Sequence, residues 1–268
     1  MADHIPKGSW VRRINNEPSV ALLAGRALVL QLAHPAVAHG VDDHSDFRGN
    51  PFKRLQGTAE AVFSLVNGSD ALAAGVGNHV HRIHEHIVGP GYAANQPENL
   101  LWVHATLVDS ALLAYTTFVA PVAAEDVESF YQDSKLVSAP LGLSLDAHPA
   151  TYGEFRAYFD DMIATVSVDD VARELVSFVL HPRLPARLDV PLTPLLDLER
   201  LITYATVPAR LREEFGMRWN ERRQRTFDAC ALAIRTANRL QPAVMRRAPS
   251  RLGGELLVRR TRRRLAAA

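Results

Sequence analysis

Eleven histidines are spread over 268 residues, and eight of them fall between His34 and His104. Imidazole titrates near neutral pH and is a common ligand for metal and haem iron, so chemistry is sought first in this segment. Four of the eight sit in Gly77-Asn-His-Val-His-Arg-Ile-His-Glu-His-Ile-Val-Gly89. With 100° per residue and His79 at zero, Ile83, Val76, Ile87, Val80 and Val88 span about 40° to 180°, and His84 falls among them at about 140°. His81 stands at the edge of that arc, while His79 and His86 lie outside it. His84 is therefore the histidine expected to face the interior, either as a core imidazole donating to a carbonyl or as a metal or haem ligand. Residue types alone leave both readings open.

Two further stretches carry reactive groups. In Pro51-Phe-Lys-Arg-Leu-Gln-Gly-Thr58, Arg54 and Thr58 are one helical turn apart, so together they can hold an anion or a polar ligand, although Arg54 also suits a solvated surface. In Gln31-Leu-Ala-His-Pro-Ala-Val-Ala-His-Gly-Val-Asp-Asp-His-Ser45, Pro35 is expected to end an apolar helix, leaving His34, His39 and His44 in a loop with Asp42, Asp43 and Asp46. Imidazole and carboxylate together suit a divalent metal, but the spacing matches no helix-borne zinc pattern.

Other chemistries lack their residues. No G-x-S-x-G elbow, Walker A loop or G-x-G-x-x-G follows a strand, which excludes the usual serine hydrolase, P-loop and dinucleotide-binding classes. Cys230 is the only cysteine, so there is no intrachain disulfide and no Cys-based metal cluster. The start lacks an apolar signal region, and a cytoplasmic protein is expected. The net charge of +1 is divided: residues 244–268 hold eight arginines against Glu255, or +7, which leaves −6 for the rest. That tail either pairs with the acidic body or touches a membrane surface. No aromatic residue interleaves its arginines, so nucleic acid is not expected.

The elements that must position these groups are helices. Hydrophobic residues make up 47% of the chain, alternating strand patterns are scarce, and Ala, Leu, Arg and Glu recur at helical spacing. Helices are expected at 18–33, 51–66, 70–88, 97–119, 124–137, 151–165, 168–180, 194–204, 208–214, 219–240 and 253–265. Asn50, Ser167 and Thr193 are the expected caps, and Gly68 an expected stop. Leu100 to Val119 is as long as a bilayer span, but His104 and Asp109 interrupt it, so it reads as a buried central helix. The fold class is all-α, a single multi-helix globular domain with a buried central cavity. The parts are an N-terminal extension (1–17), the helical domain (18–249) and a basic C-terminal tail (250–268), with a proline-rich connector over 181–194.

The order of these motifs, from Gln31-Leu-Ala-His-Pro through His44-Ser-Asp-Phe, Pro51 to Thr58, His84-Glu-His-Ile-Val-Gly89 and Tyr92 to His104, resembles the MpaB and latex-clearing-protein (rubber oxygenase) family. Leu211 to Trp219 and Leu240-Gln-Pro242 extend the likeness. The resemblance implies an all-helical body holding haem b, with His84 as the proximal iron ligand and His86 as the runner-up. It places Arg54 and Thr58 on the distal, oxygen-binding side, and His34 and His44 near the pocket. Rubber oxygenases carry a lysine just before the threonine, where this chain has Gly57. They also carry an acidic base upstream of the arginine, and no Glu occurs between Glu17 and Glu60. Both departures argue against polyisoprene cleavage.

The expectation is a haem b-dependent oxygenase acting with dioxygen on a small, largely apolar organic substrate, fed by an external electron donor. Peripheral membrane contact through the C-terminal arginines is a further expectation. Two rivals stand beside it: a His/Asp metal-dependent enzyme without haem using His34, His44 and Asp46, and a non-catalytic helical binding protein.

Overall fold

A computed structural model describes residues 3–45, 51–182 and 186–266, with side chains described except at 51–55 and 186–191. Asn50, Asp46 and the side chain of Arg54 lie outside the described residues. Thirteen α-helices are described. They are α1 (Trp10–Asn15), α2 (Ala24–Leu32), α3 (Pro35–His44), α4 (Pro51–Asn67), α5 (Asp70–His84), α6 (Pro97–Phe118), α7 (Ala124–Ser138), α8 (Tyr152–Thr165), α9 (Asp170–Leu180), α10 (Ala186–Thr206), α11 (Ala209–Glu214), α12 (Glu221–Leu240) and α13 (Ala243–Ala266). Short 3-10 turns cover Pro18–Leu23, Ala139–Leu141 and Leu145–Ala147. The one sheet among the described residues is a hairpin of β1 (Val88–Gly89) and β2 (Tyr92–Ala93), antiparallel with Gly89 opposite Tyr92. The class is all-α.

Helix α6 is the axis. It starts at Pro97, where the missing N–H leaves no helical bond unmade. Trp102, Ala105, Ala114 and Phe118 are fully buried, and the indole of Trp102 donates to the Leu30 carbonyl at 3.1 Å. Helix α2 lies beside α6 and is buried almost all round, including Arg26 and Gln31. The Arg26 guanidinium meets Asp109 at 2.7 Å, Ser110 at 2.7 Å and the Thr206 carbonyl at 2.8 Å, and Arg156 closes on the other Asp109 oxygen. The two charges that interrupt the apolar runs of α2 and α6 are therefore each other's partners. No single helix among the described residues is long and apolar enough to cross a membrane.

Several boundaries differ from expectation for local reasons. Pro35 ends α2 but also opens α3 from its first position, so His34, His39 and His44 are not in one loop. Asp169 rather than Ser167 caps α9, accepting from the Ala172 N–H at 2.8 Å. Helix α10 begins at Ala186 and runs through Thr193, so the expected connector is largely helical. Helix α5 stops at His84 instead of continuing to residue 88, because the chain turns into the hairpin. Gly91 occupies the turn with φ 79°, a left-handed conformation that glycine adopts without a Cβ clash.

The two ends of the chain are packed. Helix α1, within the expected extension, sinks Val11 and Ile14 into the main core. The expected tail is a 24-residue helix, α13, laid across α4. At the crossing a Cβ on Gly254 would come within 2.7 Å of the Phe63 ring, so glycine is what allows the approach.

Candidate functional site

The site is built from the ends of α5 and α3, the middle of α4 and the first half of α6, closed by α13. Ser69 caps α5, accepting from the Leu72 N–H at 3.4 Å, and Leu72, Ala73 and Val76 bury that helix's inner face. This direction carries His79 and His84 onto the wall of a cavity of about 400 Å3. Thr58 and Glu60 of α4, Gln31 of α2 and His104 of α6 share that wall, as do Thr261 and Arg264 of α13. Most of the remaining lining is Val, Leu, Ile and Ala. A second cavity of about 350 Å3 lies between the 18–23 turn, α2, α4, α6 and α13. Gln31, Thr58, Val62 and Leu107 border both, so Thr58 stands at the partition.

Of the expected residues, the structure brings His84 and Thr58 to one cavity from different helices, and both are half-buried. The placement of Arg54's side chain is outside the described residues. His34 and His44 were expected near the pocket and are not among the described residues that line either cavity. His34 sits at the N-cap of α3, where burial pushes its pKa down. His44 is exposed, with its ring 3.2 Å from the Val88 carbonyl and edge-on to Tyr92. His39 turns instead to Asp169 at 2.9 Å. Those separations leave no group of three or more His, Cys, Asp or Glu able to hold a metal among the described residues. His86 is exposed and away from the cavity wall, whereas His79, set outside the apolar arc by the wheel, lines it. Ile83, inside that arc and also on the cavity wall, is 48% exposed.

Sequence reasoning missed three features. His104 was read as a break in an apolar run, yet it is a buried wall residue whose Nε2 has no hydrogen-bond partner among the described residues. It packs edge-on to His148 with ring centres 5.2 Å apart, and His148 Nε2 is 2.9 Å from the hydroxyl of Ser138, itself on the cavity wall. Burial, and then the neighbouring imidazole, pushes His104 down to about 3, while burial and the Lys135 charge push His148 down to about 4. Both are neutral at pH 7. Glu60, 2% exposed, meets Arg264 at 2.9 Å and Arg260 at 3.4 Å, so α13 supplies the countercharge to an acid on the cavity wall. Tyr92 lies on the same wall, and its hydrogen bond to Asp43, 2.5 Å long, pushes the phenol up to about 12. The histidine content of α6 was a usable signal for His104. Nothing local marks Glu60, because its partners are some 200 residues away.

An apolar chamber bearing an imidazole on one wall and a hydroxyl on another has the donor set of a cofactor or small-molecule site. Residues 11–236 match the family described as ER-bound oxygenase mpaB/B'/Rubber oxygenase, catalytic domain. An uncharacterized protein of Mycobacterium bovis and one of Mycobacterium tuberculosis are each 28% identical to the chain over 231 residues, which covers 82% of this chain and 89% of theirs. No solved structure matches it. The chain thus belongs to the mpaB and rubber oxygenase family, and most of its length is that family's oxygenase catalytic domain.

Proposed function

We propose that the protein is a haem b-dependent oxygenase in which His84 would hold the haem iron and Thr58, with Arg54, would serve the binding of dioxygen. The observation that carries this reading is that His84 and Thr58, on different helices, border one largely apolar cavity. At about 400 Å3 it lies within the range of about 300–1,000 Å3 usual for cofactor and small-molecule pockets. The residues present fit the group: imidazoles from His84, His79 and His104, walls that are mostly aliphatic, and the hydroxyl of Thr58. Haem, when bound, supplies iron with an open position for dioxygen.

The chain's own residues do the rest. The Thr58 hydroxyl is a donor on the partition between the two chambers, and the neighbouring chamber gives an apolar substrate a place beside it. Aliphatic walls exclude water, which strengthens any hydrogen bond made inside. Neutral His104 adds no charge to the wall, and the guanidinium of Arg264 there is paired with Glu60. Gly57 and the absence of Glu between Glu17 and Glu60 argue against polyisoprene as the substrate.

The test is the visible spectrum of protein made in cells supplied with a haem precursor, beside His84→Ala and His86→Ala. A Soret band in wild type and His86→Ala, reduced at least about tenfold in His84→Ala, is expected. His84 is the last residue of α5 and half-buried, so far-UV circular dichroism should be unchanged. A band of equal strength in all three would overturn the ligand assignment. A band in none would overturn haem dependence.

A further inference from the structure

Helix α13 has two faces with different work. Gly254, Thr261 and Leu265 turn inward, onto Phe63 and the wall of the first cavity, and Ser250 borders the second. The outward face is unusual. With 100° per residue, Met245, Pro249, Leu252, Leu256, Arg259 and Arg263 fall within about 40° of one line. Met245, Leu252 and Leu256 are 67%, 64% and 65% exposed. Val244 and Leu240, at the junction with α12, extend the apolar part. Arg251 and Arg262 stand about 120° and 100° round the helix from that line, on one side of it, and both are exposed. The four arginines that neutralise the body, Arg246, Arg247, Arg260 and Arg264, are committed to Glu17 and Glu60. Arg251, Arg262 and Arg263 carry no ion pair among the described residues, and Arg259 meets only Glu255 at 3.6 Å.

We propose that this outward face of α13 is a peripheral docking surface for an anionic phospholipid bilayer. Leucine and methionine side chains held in water beside unpaired arginines suit the boundary between acyl chains and phosphate headgroups. A second copy of the chain fits less well, because a two-fold contact would set these arginines against themselves. A nucleic acid would leave the aliphatic stripe unused, and residues 243–266 contain no aromatic side chain for base stacking. The same helix forms part of both cavity walls, so docking would bring the chambers next to lipid, a store of apolar molecules.

The test is co-sedimentation of the full chain with phosphatidylcholine vesicles and with mixed phosphatidylcholine–phosphatidylglycerol vesicles. Wild type should pellet with the anionic vesicles, at least about tenfold more than with the neutral ones, and should be released as salt shortens the range of the charges. The variants Leu252→Ser with Leu256→Ser, and Arg259→Ala with Arg262→Ala and Arg263→Ala, should each lose at least about tenfold in binding while keeping the wild-type thermal midpoint within a few degrees. None of these five residues pairs with Glu17 or Glu60, so a body intact by melting is expected. Equal pelleting with both vesicle types, no pelleting with either, or wild-type binding by both variants would overturn the proposal. So would loss of vesicle binding to an excess of duplex RNA, or a dimer that Leu252→Ser dissolves.

Discussion

Thr58 and His104 differ in how far their roles can be read from residue type. A threonine hydroxyl at the partition of two apolar chambers has few competitors for a polar partner, so its loss should fall on turnover. Thr58→Val keeps the shape and removes the donor. If the hydroxyl stabilises charge that develops on dioxygen, oxygen consumption should drop about a hundredfold with the Soret band retained. An unchanged rate would remove Thr58 from the chemistry. His104 predicts a pH effect on stability instead. Its folded pKa lies at about 3 against an ordinary 6.5, so below pH 6.5 the unfolded chain takes up a proton that the folded chain refuses. Stability should therefore fall as pH drops from 6.5 towards 3, by ~1.4 kcal/mol per pH unit from this group, and His148 acts in the same direction. Unfolding free energies from urea at pH 7 and pH 5 should differ less in His104→Phe than in wild type, by about 2 kcal/mol.

At the scale of elements, α13 is the part least visible in advance. A run of arginines near the end of a chain reads as pairing with the acidic body or as a membrane contact; the pairing is observed, but its particular partners, Glu17 and Glu60, could not be named from the sequence. The side chain of Glu17 is fully buried and receives Arg246 at 2.7 Å and Arg247 at 2.6 Å. Burial pushes Glu17 up, but the hydrogen bonds and charges of the two arginines outweigh it and hold the carboxyl below its ordinary value. That stabilisation is present above about pH 4.5, the ordinary value, and is lost as pH falls through the depressed folded value. Replacing both arginines with alanine leaves a buried carboxylate alone and should cost about 3–5 kcal/mol by urea unfolding at pH 7, whereas Arg251→Ala should stay within about 0.5 kcal/mol. Equal midpoints for the two variants would show that α13 is held by other contacts. The helix starts and stops that sequence reasoning found are those with a local cause, such as Pro97 and Gly68. Some that it missed also have a local cause, such as the Asp169 cap of α9, whereas α3 forms where Ala38 and Val41 have a core to enter.

Across the whole molecule, charges that looked like interruptions prove to be ties. Arg26 on α2 and Asp109 on α6 stand 83 residues apart and meet in the interior, with Arg156 of α8 on the other carboxylate oxygen. Asp109→Asn would leave Arg26, 3% exposed, without its countercharge and should lower stability by about 3–5 kcal/mol, measured by urea unfolding. A loss below about 1 kcal/mol would mean that Ser110 and the Thr206 carbonyl suffice for the guanidinium.

Hydrophobic period and residue type, both properties of ten to twenty neighbouring residues, were enough to read an all-helical chain, a buried α6, and His84 and Thr58 as residues of interest. Only the tertiary structure decided that these two meet at one cavity while His34 and His44 stay outside it, that His104 and His148 form a neutral pair, and that α13 covers buried acids. Those outcomes depend on which surfaces pack across long separations. A helical repeat fixes the direction of a side chain around its own axis, but not what waits there.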